Sequence, residues 1–143
     1  MSQGLRAAAT VLKRAGWAPA LVFLVHVFLS RGLDAYRSYP PIDIPMHYLG
    51  GVAIAFFLSR CFAAVPANVV SGRGRPIIEA ICVVALTISV AVGWEFAEFF
   101  TDRFLGTHAQ LGLEDTLLDL ALGAFGGASY LLVALLVARA RGP

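Results

Sequence analysis

The chain has 143 residues, is 59% hydrophobic and only 14% charged, and has a mean hydropathy of +0.78. Those values lie outside the mix of a soluble domain and indicate a small integral membrane protein. The formal net charge is +2, and its basic residues are scattered over flanks without forming a patch, which excludes a nucleic-acid partner.

The N-terminal tail carries Arg6, Lys13 and Arg14, and the first apolar run covers residues 15–30. Basic then apolar, this opening also resembles a signal peptide. No small-x-small cleavage site precedes Arg31, so a retained helix over about 15–31 is expected. His26 lies in its outer half, as a packing residue or a secondary candidate for a polar site. The connection "RGLDAYRSYPPID" holds Pro40 and Pro41 and reads as an ordered, extended loop at the outer interface, with Tyr36 and Tyr39 in the headgroup layer.

The second helix is expected over about 43–65 and opens with Asp43 and His47, spaced i, i+4 on one face. Gly50 and Gly51 follow, small residues that allow close helix approach. "PANVVSGRGRP" is a turn, and Pro76 begins a third helix over about 76–102, where Glu79 should pair with Arg73 or Arg75. Cys61 and Cys82 fall near the cytoplasmic ends of these helices and read as packing residues without a disulfide.

The third helix closes on "GWEFAEFFTD", which stacks Glu95, Glu98 and Asp102 on one stripe, Glu95 the deepest. After a short loop carrying His108, which could act as a lid or be simply exposed, a fourth helix is expected over about 114–139. Glu114 and Asp115 suit its N-terminal dipole, Asp119 lies one turn further, and Gly123 and Gly127 provide a second small-residue face.

Each apolar run is about as long as the roughly 20 residues of a spanning helix, and none alternates with period 2 as barrel strands do. The expected fold is all-α: a single membrane domain over 1–143, polytopic, with a bundle of four transmembrane helices. Eight Lys and Arg flank one side and three the other, which places both termini in the cytoplasm and the acidic helix ends outside.

On that outer face the acids outnumber the bases that could neutralise them, and charge at that depth costs on the order of 2.5–3.5 kcal/mol. A bound divalent cation or shared protons would resolve the excess. Carboxylates with one imidazole suit Mg, Mn, Zn or Fe, so His47, Glu95, Glu98, Asp119, Asp115 and Asp43 are candidate metal ligands, with Asp102, His26 and His108 secondary. Asp43, Asp102, Glu114 and Asp115 could instead be solvated caps paired with Arg31, Arg37 and Arg103.

"DIPMHYLGG" resembles the D-x-x-x-H-[FY]-x-x-G segment of YjdF-like bacterial inner-membrane proteins, and "WEFAEFF" resembles their aromatic-E-x-x-E segment. "LGT" and "DTLLDLALGAFG" are similar to their G-T segment and to their segment with an Asp-Thr pair followed by a second Asp, and the skeleton is more distantly similar to VanZ-like proteins. The loop "HAQLGLED" departs from the family's Q-G-D and W-D pattern. The resemblance implies a multi-pass protein of the bacterial inner membrane and singles out the same six site residues, without assigning an activity.

The expected function is an acidic, His-containing site at the extracytoplasmic face that binds a divalent cation or a lipid-linked ligand, as a metal-dependent envelope-lipid enzyme. A proton- or cation-coupled transporter and a non-catalytic membrane interaction protein are the alternatives. Membrane lipids are the expected partners, together with a second copy of the chain through the small-residue helix faces.

Overall fold

Residues 3–66, 69, 72 and 74–142 are described by a computed structural model. Among them the chain forms helices and no strand: α1 (Gln3–Ala15), α2 (Trp17–Val27), α3 (Ala35–Ser38), α4 (Asp43–Ala63), α5 (Arg75–Leu105) and α6 (Leu113–Ala140). α4 with the turn before it, α5 and α6 are each long and apolar enough to cross a membrane, and α1 and α2 supply a fourth if their bent pair is one span. This is an all-α polytopic membrane protein. Its apolar surface points outward: Phe96, Phe100 and Phe104 form a ladder of rings 6.4 and 6.1 Å apart and are 58%, 51% and 74% exposed.

Two stretches differ from the sequence reading. Residues 3–14, expected as a tail, lie in α1, which meets the following helix at a 49° bend. Gly16 lies at the break, where a Cβ would stand 2.6 Å from the Leu12 carbonyl oxygen. α1 carries Leu5 and Leu12 on one side and Arg6 and Lys13 on another, and Ala7, Val11 and Arg14 line a depression against Phe56 and Arg60 of α4. The connection around Pro40 and Pro41 is a series of short helical turns, not an extended loop: a π turn at Phe28–Gly32, α3, and a 3-10 turn at Pro40–Ile42. Proline's fixed φ suits the first positions of a helical turn as well as an extended chain, and Asp34 at φ 50° separates the pieces. Glu79 pairs with Arg75 at 2.6 Å, and the alternative partner Arg73 lies outside the described residues.

Three i+4 stripes build the centre. α4 presents His47, Gly51 and Ala55; α5, running the opposite way, presents Glu95, Ala91 and Thr87; α6 presents Asp119, Gly123 and Gly127. A Cβ on Gly51 would collide with the Gly123 carbonyl, one on Gly123 would stand 3.2 Å from Ala91 Cβ, and one on Gly127 would stand 3.0 Å from Thr87 Cγ2. Gly126, not singled out from sequence, meets the Tyr48 carbonyl in the same way, whereas Gly50 has no neighbour within 4 Å of a built Cβ. In a membrane, where helices gain little from hydrophobic burial against one another, small residues allow the backbone contact that holds them together. At one end the stripes finish on the three ionisable residues His47, Glu95 and Asp119.

Candidate functional site

α4 opens at Asp43 directly after the 3-10 turn, so Asp43 and His47 stack one turn apart on its inward face. His47 Nε2 lies 3.2 Å from Asp43 Oδ1 and 3.8 Å from Asp119 Oδ1 on α6, and the side chains of His47 and Asp119 are 10% and 3% exposed. His47 also lies near Glu95 and Glu98 of α5. Two triads, Asp43–His47–Asp119 and His47–Glu95–Glu98, each place one potential ligand atom per residue within 4.8 Å of the others. His47 belongs to both, so three helices converge on one imidazole.

The two glutamates differ in their partners. Glu98 accepts a hydrogen bond from the Trp94 indole N–H at 2.9 Å, across one turn of α5. Glu95 is 6% exposed, and neither of its oxygens finds a hydrogen-bond partner among the described residues. A buried carboxylate without a donor is among the most costly arrangements a protein can hold.

The remaining candidates stand apart from both triads. Asp102 turns away from the stripe into the α5–α6 loop, where Oδ1 accepts from the Thr107 hydroxyl at 2.5 Å and the Ala109 N–H at 2.8 Å, and Oδ2 from the Gln110 N–H at 2.9 Å. Helix α5 ends just before, at Gly106 with φ 67°, a left-handed conformation that glycine adopts without Cβ strain. Asp115 accepts from the Leu111 N–H at 3.1 Å and closes the loop's other end. His108 and Glu114 are exposed. Among the described residues, Arg31, Arg37 and Arg103 make no ion pair with these acids.

His26 of α2 reaches the region without joining a triad. Its Nδ1 is hydrogen-bonded to the Tyr36 hydroxyl at 2.7 Å, and its ring packs edge-on against Trp94 at 4.8 Å. Burial, assisted by the charge of Asp43, pushes the Tyr36 hydroxyl above the usual phenol range, so it stays protonated. The sequence places Tyr36 in the headgroup layer and Trp94 in the aromatic-E-x-x-E segment, and the i, i+4 spacing within "GWEFAEFF" also makes Trp94 a partner for Glu98.

Chemically, the arrangement offers carboxylate oxygens and one imidazole at one end of a helix bundle. Such a donor set suits a divalent cation of the Mg, Mn, Fe or Zn group. A family model described as a predicted membrane protein (DUF2238) matches residues 10–141. No curated protein and no solved structure matches the chain.

Proposed function

This chain belongs to the DUF2238 family of predicted membrane proteins, and from that premise we propose that it binds one divalent cation at the outer membrane face through His47, Glu95 and Glu98. Its resemblance to YjdF-like proteins supports a place in the bacterial inner membrane, and the positive-inside count supports cytoplasmic termini. The observation that carries the reading is Glu95, buried with both oxygens unpartnered among the described residues. A cation held by Glu95 and Glu98 would supply the missing positive charge. Asp43 and Asp119, close to His47 Nε2, would then orient the ring as outer carboxylates commonly orient metal-binding histidines.

Depth supports the same reading. α5 has 31 residues, about 46 Å at ~1.5 Å per residue, which exceeds the ~30 Å hydrocarbon layer. A centred helix puts Glu95 inside that layer, where an isolated carboxylate is disfavoured and a metal-bound one is neutralised. Bound there, the ion could polarise a phosphate or activate water, so the leading activity is a metal-dependent reaction on a lipid-linked envelope molecule. Inward of the site the stripes continue as Gly51, Ala91 and Gly123, then Ala55, Thr87 and Gly127, with no ionisable side chain. That closed, apolar course favours a binding site over a transport path.

The test is metal analysis of protein purified in detergent, wild type beside Glu95→Gln and His47→Ala. A stoichiometric divalent ion in the wild type, lost in both variants, supports the reading. A wild type that carries none and gains no thermal stability from added Mn²⁺ or Zn²⁺ overturns it. Sidedness is tested by a periplasm-active reporter fused after Pro143, which should be silent.

A further inference from the structure

The bundle is open on one side, between α2 and α5. α2 packs on α4, and toward α5 the rings of Phe23 and His26 lean on Trp94, with centroids 6.1 and 4.8 Å away. Beside these rings lies a cavity of about 270 Å³ walled by Val22 and Phe23 from α2, Gly50 and Ile54 from α4, and Val90 and Trp94 from α5, with His47 also on its lining. Phe23 and Val90 are 52% and 46% exposed, so the cleft gives onto the medium beside the bundle.

Its polar groups are mostly committed elsewhere. The Thr87 hydroxyl donates to the Val83 carbonyl at 2.8 Å and the Trp94 N–H to Glu98 at 2.9 Å. An apolar cavity of this kind does not hold water, and alongside membrane-spanning helices the medium available to fill it is hydrocarbon. The volume lies just under the ~300 Å³ at which ligand pockets usually begin, enough for a length of chain and too little for a headgroup as well. At its outer end His47 is shared with the carboxylate triads.

We infer that the α2–α5 cleft seats one acyl chain of a membrane phospholipid, entering sideways, with the lipid's phosphate lying at His47, Glu95 and Glu98. The placement of the phosphate rests on the divalent-cation reading; the seat for the chain does not. Trp94 connects the two halves, with its ring on the cleft wall and its N–H on Glu98.

The sequence has two tryptophans, so Trp17→Phe leaves Trp94 as the sole tryptophan, read by selective excitation. This protein is placed in nanodiscs of phosphatidylglycerol with brominated acyl chains, with and without cleft-filling substitutions. Gly50→Leu fills the cleft from α4, where a Cβ meets nothing within 4 Å, and Val22→Phe fills it from α2, so that either variant decides if the other fails to fold. Quenching of Trp94 should fall about two-fold in the filled variants, because short-range contact with the brominated chain is lost on the cleft side. Equal quenching in parent and filled proteins overturns the seat. Metal content of the same nanodiscs separates the two readings: cleft-dependent quenching without a bound ion keeps the chain and removes the cation, and a bound ion with cleft-independent quenching does the reverse.

Discussion

Gly51 and Gly123 meet backbone to backbone one helical turn inward of His47 and Asp119, and that contact sets how closely the two ionisable residues approach. A methyl group on Gly51 would collide with the Gly123 carbonyl. Gly51→Ala should therefore separate α4 from α6, lower stability by about 1–3 kcal/mol as overpacking does, and weaken metal binding without touching a ligand. The neighbouring Gly50→Ala is the control. Its Cβ meets nothing within 4 Å, and replacing a helical glycine there should leave stability unchanged or raise it by about 0.4–1 kcal/mol. Thermal unfolding in detergent reads both, and equal melting of the two variants would refute the contact's role.

Glu95→Gln separates stability from binding. In chelator, removing an unpartnered buried carboxylate should leave the protein at least as stable as wild type. With Mn²⁺ at about 100 times its dissociation constant, wild type should gain about 2.7 kcal/mol and Glu95→Gln nothing. A variant several kcal/mol less stable in chelator would mean that Glu95 already has a partner within the protein.

Trp94→Phe keeps an aromatic ring against Phe23 and His26 but removes the donor to Glu98. Outer partners of metal ligands typically contribute 10–100-fold in affinity, so calorimetry should show the ion binding about that much more weakly, with the fold intact by circular dichroism. Unchanged affinity would exclude Glu98 as a ligand held by the indole.

Asp102→Ala should behave in the opposite way. Its carboxylate fastens three donors of the α5–α6 loop, so backbone amides at 107–111 should exchange faster while metal content stays at the wild-type level. Loss of metal in this variant would return Asp102 to the site.

The residue pattern made the long helices legible, because apolar runs of spanning length have one low-energy form in hydrocarbon. The stripes of Asp43 with His47 and of Glu95 with Glu98 could be read from helical spacing. Asp102 misled for a physical reason: i+4 spacing fixes where a side chain starts, and at a helix end it can fold back onto the loop's free N–H groups. The N-terminal helix was hidden because its mixed face lacks the continuous apolarity that marks a span, and the turns around Pro40 because proline's φ serves helical and extended chain alike. The cleft was not legible, since it depends on how far α2 leans from α5.

α4 is the hub on which α1, α2, α5 and α6 all pack, and its glycine face is filled by α6, the latest of them in chain order. During synthesis, α4 must therefore enter the bilayer with that face bare and with Asp43 and His47 still lacking the partners α5 and α6 bring. Until α6 inserts, the Asp43–His47–Asp119 triad cannot close, and His47 lacks one of the two carboxylates beside its Nε2. A nascent chain stalled before residue 113 would therefore have its helix hub and His47, Glu95 and Glu98 in place, but no Asp119 beside the imidazole.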